Sequence, residues 1–156
     1  MRLFVYGSLL TPEVLHGLLN RVPACRPATL RGFSRWRVAG ENFPAILQTP
    51  GGSVDGKLLE DLNEREMGAL DYYEDEAYER LTVDVDVVGG STVSEVNVYV
   101  WPLARSAELD VGGEPWRLDE FRETVEDFVA DVVIPCRQEY EAELAAGASP
   151  RNCSPL

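Results

Sequence analysis

The sequence predicts an α+β domain built on a curved, largely antiparallel sheet or small barrel. Three observations support this. The apolar stretches are mostly short, rich in β-branched residues and joined by tight Gly- or Pro-containing turns. Helical spacing is confined to three places, early, in the middle and last. The 156 residues fit one domain with a sizeable core.

The first strand is residues 2–6, apolar on both faces as a central strand requires. It runs through Tyr6 into a Gly7-Ser8 turn. Thr11 is placed to cap a helix, and Pro12 takes its first position, where a missing N–H costs nothing. Leu15, Leu18 and Leu19 give that helix its apolar stripe, and it ends near Asn20, before Pro23. Ala28 to Ala39 suits a strand, carrying Leu30, Phe33, Trp36 and Val38. Phe43 to Gln48 suits a second, Pro50-Gly51-Gly52 a turn, and Val54 to Leu59 a third. Asn63, with Glu66 three residues on, has capping-box spacing for a helix running to about Tyr73. Leu81 to Val88 alternates apolar and polar, Gly89-Gly90-Ser91 is a hairpin turn, and Val93 to Trp101 returns. Beyond Gly112-Gly113, Phe121, Val125, Phe128 and Val132 stand at helical spacing in a region from about Leu118 to Ala146, which Pro135 should kink or break. Residues 1–146 read as a single domain and 147–156 as a flexible tail.

The net charge is −13 and Lys57 is the only lysine. Such a surface argues against nucleic acid and anionic membrane, both of which attract basic proteins. Either a salt-rich cytoplasm, where screening tolerates self-repulsion, or a genome that writes Arg for Lys accounts for the composition, and both readings stand. Cys25, Cys136 and Cys153 are far apart, without C-x-x-C, and read as reduced thiols, with Cys25 and Cys136 expected to be buried. No run approaches the ~20 apolar residues of a membrane helix, and the start lacks the pattern of a signal peptide. A cytoplasmic location is the expectation. Oligomeric state is not legible.

Two segments could carry chemistry. Glu74 lies seven residues after Met67 and four after Leu70, on the apolar stripe of the middle helix. A carboxyl on an inward face is desolvated, which raises its pKa toward that of a proton shuttle. If the helix instead ends by Tyr73, Glu74 joins Asp71, Asp75, Glu76 and Glu79 in a solvated acidic turn, the commoner fate of charge clusters. Tyr6-Gly7-Ser8-Leu9 could offer backbone N–H groups to an anion, beside a helix N-terminus, or be an ordinary strand-to-helix connection. Tyr72, Tyr73, Tyr78 and Tyr99 could bond a ligand or simply rim the core. His16 is the only histidine, so a histidine metal cluster is excluded and no metal is expected. There is no G-x-S-x-G and no glycine-rich phosphate loop.

Val5-Tyr6-Gly7-Ser8-Leu9, Phe43-Pro44-Ala45-Ile46, Val54-Asp55-Gly56-Lys57-Leu58, Leu70-Asp71-Tyr72-Tyr73-Glu74, Tyr78-Glu79-Arg80 and Val98-Tyr99-Val100-Trp101 follow one another over most of residues 3–101. Together they resemble the γ-glutamyl cyclotransferase-like family, in its branch that includes the plant avirulence-induced proteins. The resemblance implies a small mixed, largely antiparallel β-barrel flanked by helices, with a C-terminal helical extension. It implies Glu74 as catalytic acid/base and Tyr6, Gly7, Ser8 and Leu9 as the grip on a glutamyl group; of the tyrosines, Tyr78 and Tyr99 are taken as the candidate substrate contacts. The implied reaction is cleavage of a γ-glutamyl amide to 5-oxoproline and an amine, with no cofactor or metal. The partner is then a small γ-glutamyl amine or peptide. A non-catalytic binding or regulatory protein, or an enzyme acting on another acyl amine, are the rival readings on the same fold. The segments between Leu9 and Phe43 and from Leu103 to Pro115 are expected to shape substrate choice.

Overall fold

The computed structural model describes residues 1–147. The strands are β1 (Leu3–Val5), β2 (Cys25–Val38), β3 (Pro44–Leu59), β4 (Glu79–Val87), β5 (Thr92–Val100) and β6 (Leu109–Asp110). The α-helices are α1 (Pro12–Leu19), α2 (Glu64–Glu74), α3 (Leu118–Arg122), α4 (Val125–Phe128) and α5 (Ile134–Ala145), with a π turn at Val129–Val133. The strands run in the order β3-β1-β5-β4-β2, and β2 pairs back onto β3, which closes a five-stranded barrel. β6 joins the outer side of β2 as a sixth strand. Among the described residues only the β1–β5 pairing is parallel.

β1 is buried on both faces, as its sequence requires. Phe4 and Tyr6 point into the barrel with Leu30, Ile46, Leu58, Val96 and Val98. Leu3 and Val5 pack against the helices. Full burial of one such side chain contributes about 1.5–3 kcal/mol. Gly56 of β3 faces β1, where a Cβ would overlap the Val5 carbonyl oxygen.

The Pro50-Gly51-Gly52 segment does not separate two strands. β3 is continuous, and between Gln48 and Ser53 it bulges where β2 has only Gly32 between Arg31 and Phe33. Gly32 and Gly51 both take positive φ, so the turn chemistry was real but bends a strand. β2 also starts at Cys25, earlier than expected, and leaves that thiol exposed, whereas Cys136 is buried. Pairing of Cys25 with Leu59 at the barrel's end accounts for this. Cys153 and positions 148–156 of the expected tail lie outside the described residues.

Thr11 occupies the cap position of α1, but its Oγ1 donates to the Ser8 carbonyl at 2.7 Å instead of bonding a helix N–H. In α2 the capping box is complete. Glu66 N donates to Asn63 Oδ1 at 2.8 Å, and Asn63 N to Glu66 Oε1 at 3.1 Å. Glu66 also receives a two-pronged contact from Arg21, which lowers its pKa and ties α2 to the chain after α1.

The last helical region is broken, as Pro135 predicts, though the break begins earlier at Glu123–Thr124 and includes the π turn. Two glycines let it approach closely. A Cβ on Gly17 would lie 2.7 Å from Val133 Cγ1, and one on Gly68 would strike the Tyr140 hydroxyl. α5 thereby lies on α2, with the Tyr72 and Tyr140 ring centroids 5.4 Å apart. No helix among the described residues is long and apolar enough to cross a membrane.

Candidate functional site

One cleft, enclosing about 570 Å³ with its open mouth, collects the two segments singled out in the sequence. Glu74 and all six predicted contact residues, Tyr6, Gly7, Ser8, Leu9, Tyr78 and Tyr99, line it. The barrel and the helices position them. β1 ends at the cleft and delivers the Tyr6–Leu9 turn. α2 ends there and delivers Glu74 on its final turn.

The helix stops at Glu74 because Asp75 leaves the helical region, at φ 61° and ψ −169°. That backbone conformation is strained for a residue with a Cβ. Glu74 is partly buried. It lines the cleft, and its carboxyl is buried by protein. Among the described residues no hydrogen bond or ion pair holds it. Burial, helped by the nearby Asp71 carboxylate, pushes its pKa up from 4.5 to about 8. The inward-face reading of Glu74 therefore replaces the solvated acidic turn.

The tyrosines frame this carboxyl. Tyr6 OH donates to the Tyr99 carbonyl at 2.5 Å, and Tyr99 OH donates to Asp71 Oδ1 at 2.7 Å. Tyr78 OH donates to the Pro44 carbonyl at 2.9 Å, and its ring meets Trp101 edge-on at 5.2 Å. Ser8 Oγ and Tyr73 OH share a hydrogen bond at 2.8 Å. Burial, with Glu74 nearby, raises the pKa of Tyr6 and of Tyr78, and burial with Asp71 that of Tyr99, so all three stay phenols.

In the turn, the Gly7 and Ser8 carbonyls accept from Leu10 N and Thr11 N. Among the described residues no backbone or side-chain acceptor takes the N–H groups of Gly7, Ser8 or Leu9. Pro44 lies against Gly7 so closely that a Cβ would come within 3.0 Å of its Cγ. Arg35 Nη1 donates to the Tyr6 carbonyl at 2.9 Å, with its guanidinium 5.6 Å from the Trp116 ring centre. Burial lowers the pKa of Arg35, which stays charged.

Several lining residues were not anticipated as site residues. Phe43 and Pro44 carry only the family pattern in the sequence, while Phe4 lies in a buried strand pattern and Phe128 and Val132 have the helical spacing of a core stripe. Neither 10–42 nor 103–115 lines the cleft. The substrate-shaping role expected of those segments finds no support, because β2 and β6 carry them to other parts of the barrel. His16 is exposed on α1. Among the described residues no three His, Cys, Asp or Glu side chains converge as metal ligands.

Residues 3–124 match the family described as gamma-glutamyl cyclotransferase, AIG2-like. AIG2-like protein C of Arabidopsis thaliana is 44% identical over 128 residues, covering 81% of this chain and 73% of that protein. A solution structure of an Arabidopsis thaliana protein superposes with a TM-score of 0.65 at 29% identity, covering 95% of this chain and 93% of the other. A solved gamma-glutamyl cyclotransferase shares the fold, with a TM-score of 0.56 at 23% identity over 65% of this chain and 66% of the other. The chain belongs to the gamma-glutamyl cyclotransferase, AIG2-like family.

Proposed function

We propose that this chain is a γ-glutamyl cyclotransferase-like enzyme that converts a γ-glutamyl amide into 5-oxoproline and a free amine, with Glu74 as acid/base. One observation carries the reading. Glu74, a carboxyl with no hydrogen-bond or ion-pair partner among the described residues, shares a cleft with the Tyr6–Leu9 turn, whose N–H groups are uncommitted among the same residues. Family membership favours the same chemistry.

The substrate carries its own nucleophile. Its α-amine attacks the γ-carbonyl and closes a five-membered ring, so the reaction depends on orientation. Well-aligned intramolecular reactions reach effective molarities of about 10⁵–10⁸ M. The α-ammonium must first lose a proton, and the free α-carboxylate beside it raises its pKa above the about 7.7–8.0 of a peptide amino terminus. Glu74, held at about 8, is a far better proton acceptor for it than an ordinary carboxyl near 4.5. The substrate's positive charge favours the carboxylate as it arrives, and the proton then passes to Glu74. As the N–Cγ bond forms, oxyanion charge develops, and the N–H groups of Gly7, Ser8 and Leu9 supply donors for it or for the α-carboxylate. Glu74 returns its proton to the leaving nitrogen as the old amide bond breaks, then takes the second proton from the ring nitrogen and passes it to the departing amine, which leaves as its ammonium. Atoms balance without water, metal or redox partner.

Product analysis in ¹⁸O-labelled water tests this. Cyclisation yields unlabelled 5-oxoproline and an equal amount of amine from γ-glutamyl dipeptides, glutathione, γ-glutamyl-lysine or polyamine conjugates. Labelled glutamate would mean hydrolysis instead. Absence of any product from folded protein would favour a binding role.

A further inference from the structure

The non-glutamyl end of the cleft is hydrocarbon. Among the described residues Glu74 is the only charged side chain that lines it. The hydroxyls of Tyr6, Tyr78 and Tyr99 are committed to protein acceptors, and Ser8 and Tyr73 to each other. Apart from Gly7, what remains is apolar: Phe4 and Val5 of β1, and Leu9, Phe43, Pro44, Phe128 and Val132.

Phe128 and Val132 come from the π turn and the residue before it, beyond the family match, which ends at 124. This segment is held firmly. Val129 and Val133 abut Gly17 of α1, and Phe128 stacks edge-on against Phe121 at 5.2 Å. π turns recur at functional sites because they re-aim side chains by inserting a residue. Here the insertion leaves Val133 in the core and Val132 on the cleft.

We propose that this wall selects the amine half of the substrate, and that the group on the glutamyl nitrogen is uncharged and apolar, an alkyl or aryl amine. A second carboxylate or ammonium beside the scissile bond would find no counter-charge other than Glu74, which the reaction occupies. Burying it against Phe128 and Val132 is unfavourable. An apolar group gains from the same surface. The inference rests on the cyclotransferase reading.

Three substrates decide it: the γ-glutamyl amides of phenethylamine and methylamine, and the γ-glutamyl amide of the lysine side chain. The phenethylamide is expected to exceed both others by about tenfold or more in kcat/KM, mostly through KM. Phe128→Ala should cut the phenethylamide-to-methylamide ratio about tenfold, and Phe128→Leu should restore most of it. Val132→Lys, at a partly exposed position, should shift preference toward γ-glutamyl-phenylalanine, which adds a carboxylate. Preference for the lysine amide, or a Phe128→Ala variant that slows all substrates equally, overturns the inference and leaves the reaction standing. If no substrate yields 5-oxoproline, the reaction falls, and calorimetry decides the wall alone. Phenethylamide binding about tenfold tighter than methylamide, lost in Phe128→Ala, upholds it, and equal binding of the two refutes it.

Discussion

Replacing Glu74 with Gln should make the protein more stable, by an amount that grows with pH. The carboxyl titrates at 4.5 when free and at about 8 in the fold. Below 4.5 both states are protonated and burial costs nothing extra. Between 4.5 and 8 the unfolded chain ionises freely while the folded chain resists, so stability falls as pH rises. Above 8 the loss is complete. At ~1.4 kcal/mol per pH unit the full difference reaches about 5 kcal/mol, an upper bound because cleft water and relaxation reduce it. The glutamine is neutral throughout and similar in shape. Urea unfolding of both proteins at pH 5, 7 and 9 measures this. The variant's advantage should be under about 1 kcal/mol at pH 5 and several kcal/mol at pH 9. An advantage that is the same at all three values, or that shrinks with pH, would refute the buried-carboxyl account.

Other perturbations separate the parts of the site. Asp75→Gly relieves the backbone strain that ends α2, so it should raise stability by about 1–3 kcal/mol in calorimetry. It should also slow turnover, because Glu74 loses its fixed direction. Gly7→Val drives a side chain toward Pro44 Cγ, 3.0 Å from the first added carbon; 5-oxoproline release should fall at least tenfold while far-UV circular dichroism stays native-like. Arg35→Met leaves the Tyr6 carbonyl without its donor, costing about 1–3 kcal/mol in urea unfolding and raising KM. A net charge of −13 repels itself in dilute buffer, so the melting temperature should rise between roughly 0.1 M and 1 M salt as screening shortens to about 3 Å.

Much of this arrangement is legible from local chemistry. Asn63 and Glu66 announce the start of α2, and Gly89-Gly90-Ser91 the β4–β5 hairpin, because caps and tight turns depend on a few adjacent residues. β1 is identifiable because a short consecutive apolar run that stops at Gly7 is the length of a strand covered on both sides and too short for a buried helix. Glu74 was ambiguous for a physical reason. Its placement depends on whether α2 runs one residue further, and that is set by the unusual backbone of Asp75. Pro50-Gly51-Gly52 misled because a four-residue bulge uses the same residues as a turn, and only pairing with β2 distinguishes them. Phe128 and Val132 were unreadable as cleft residues. Their helical spacing is that of a core stripe, and the shift that turns Val132 toward the cleft comes from a π turn seated on Gly17, more than a hundred residues earlier. Cys25 was misassigned because free thiols are usually buried, and the exposed end of a long barrel strand has no local signature.

The most direct measurement is the rate of 5-oxoproline formation from one γ-glutamyl amide by wild type and Glu74→Gln, with binding of that amide measured on both. Loss of about 10²-fold or more in the variant, with binding retained, is the predicted result. Equal rates in the two proteins would contradict the assignment of Glu74 as the proton shuttle.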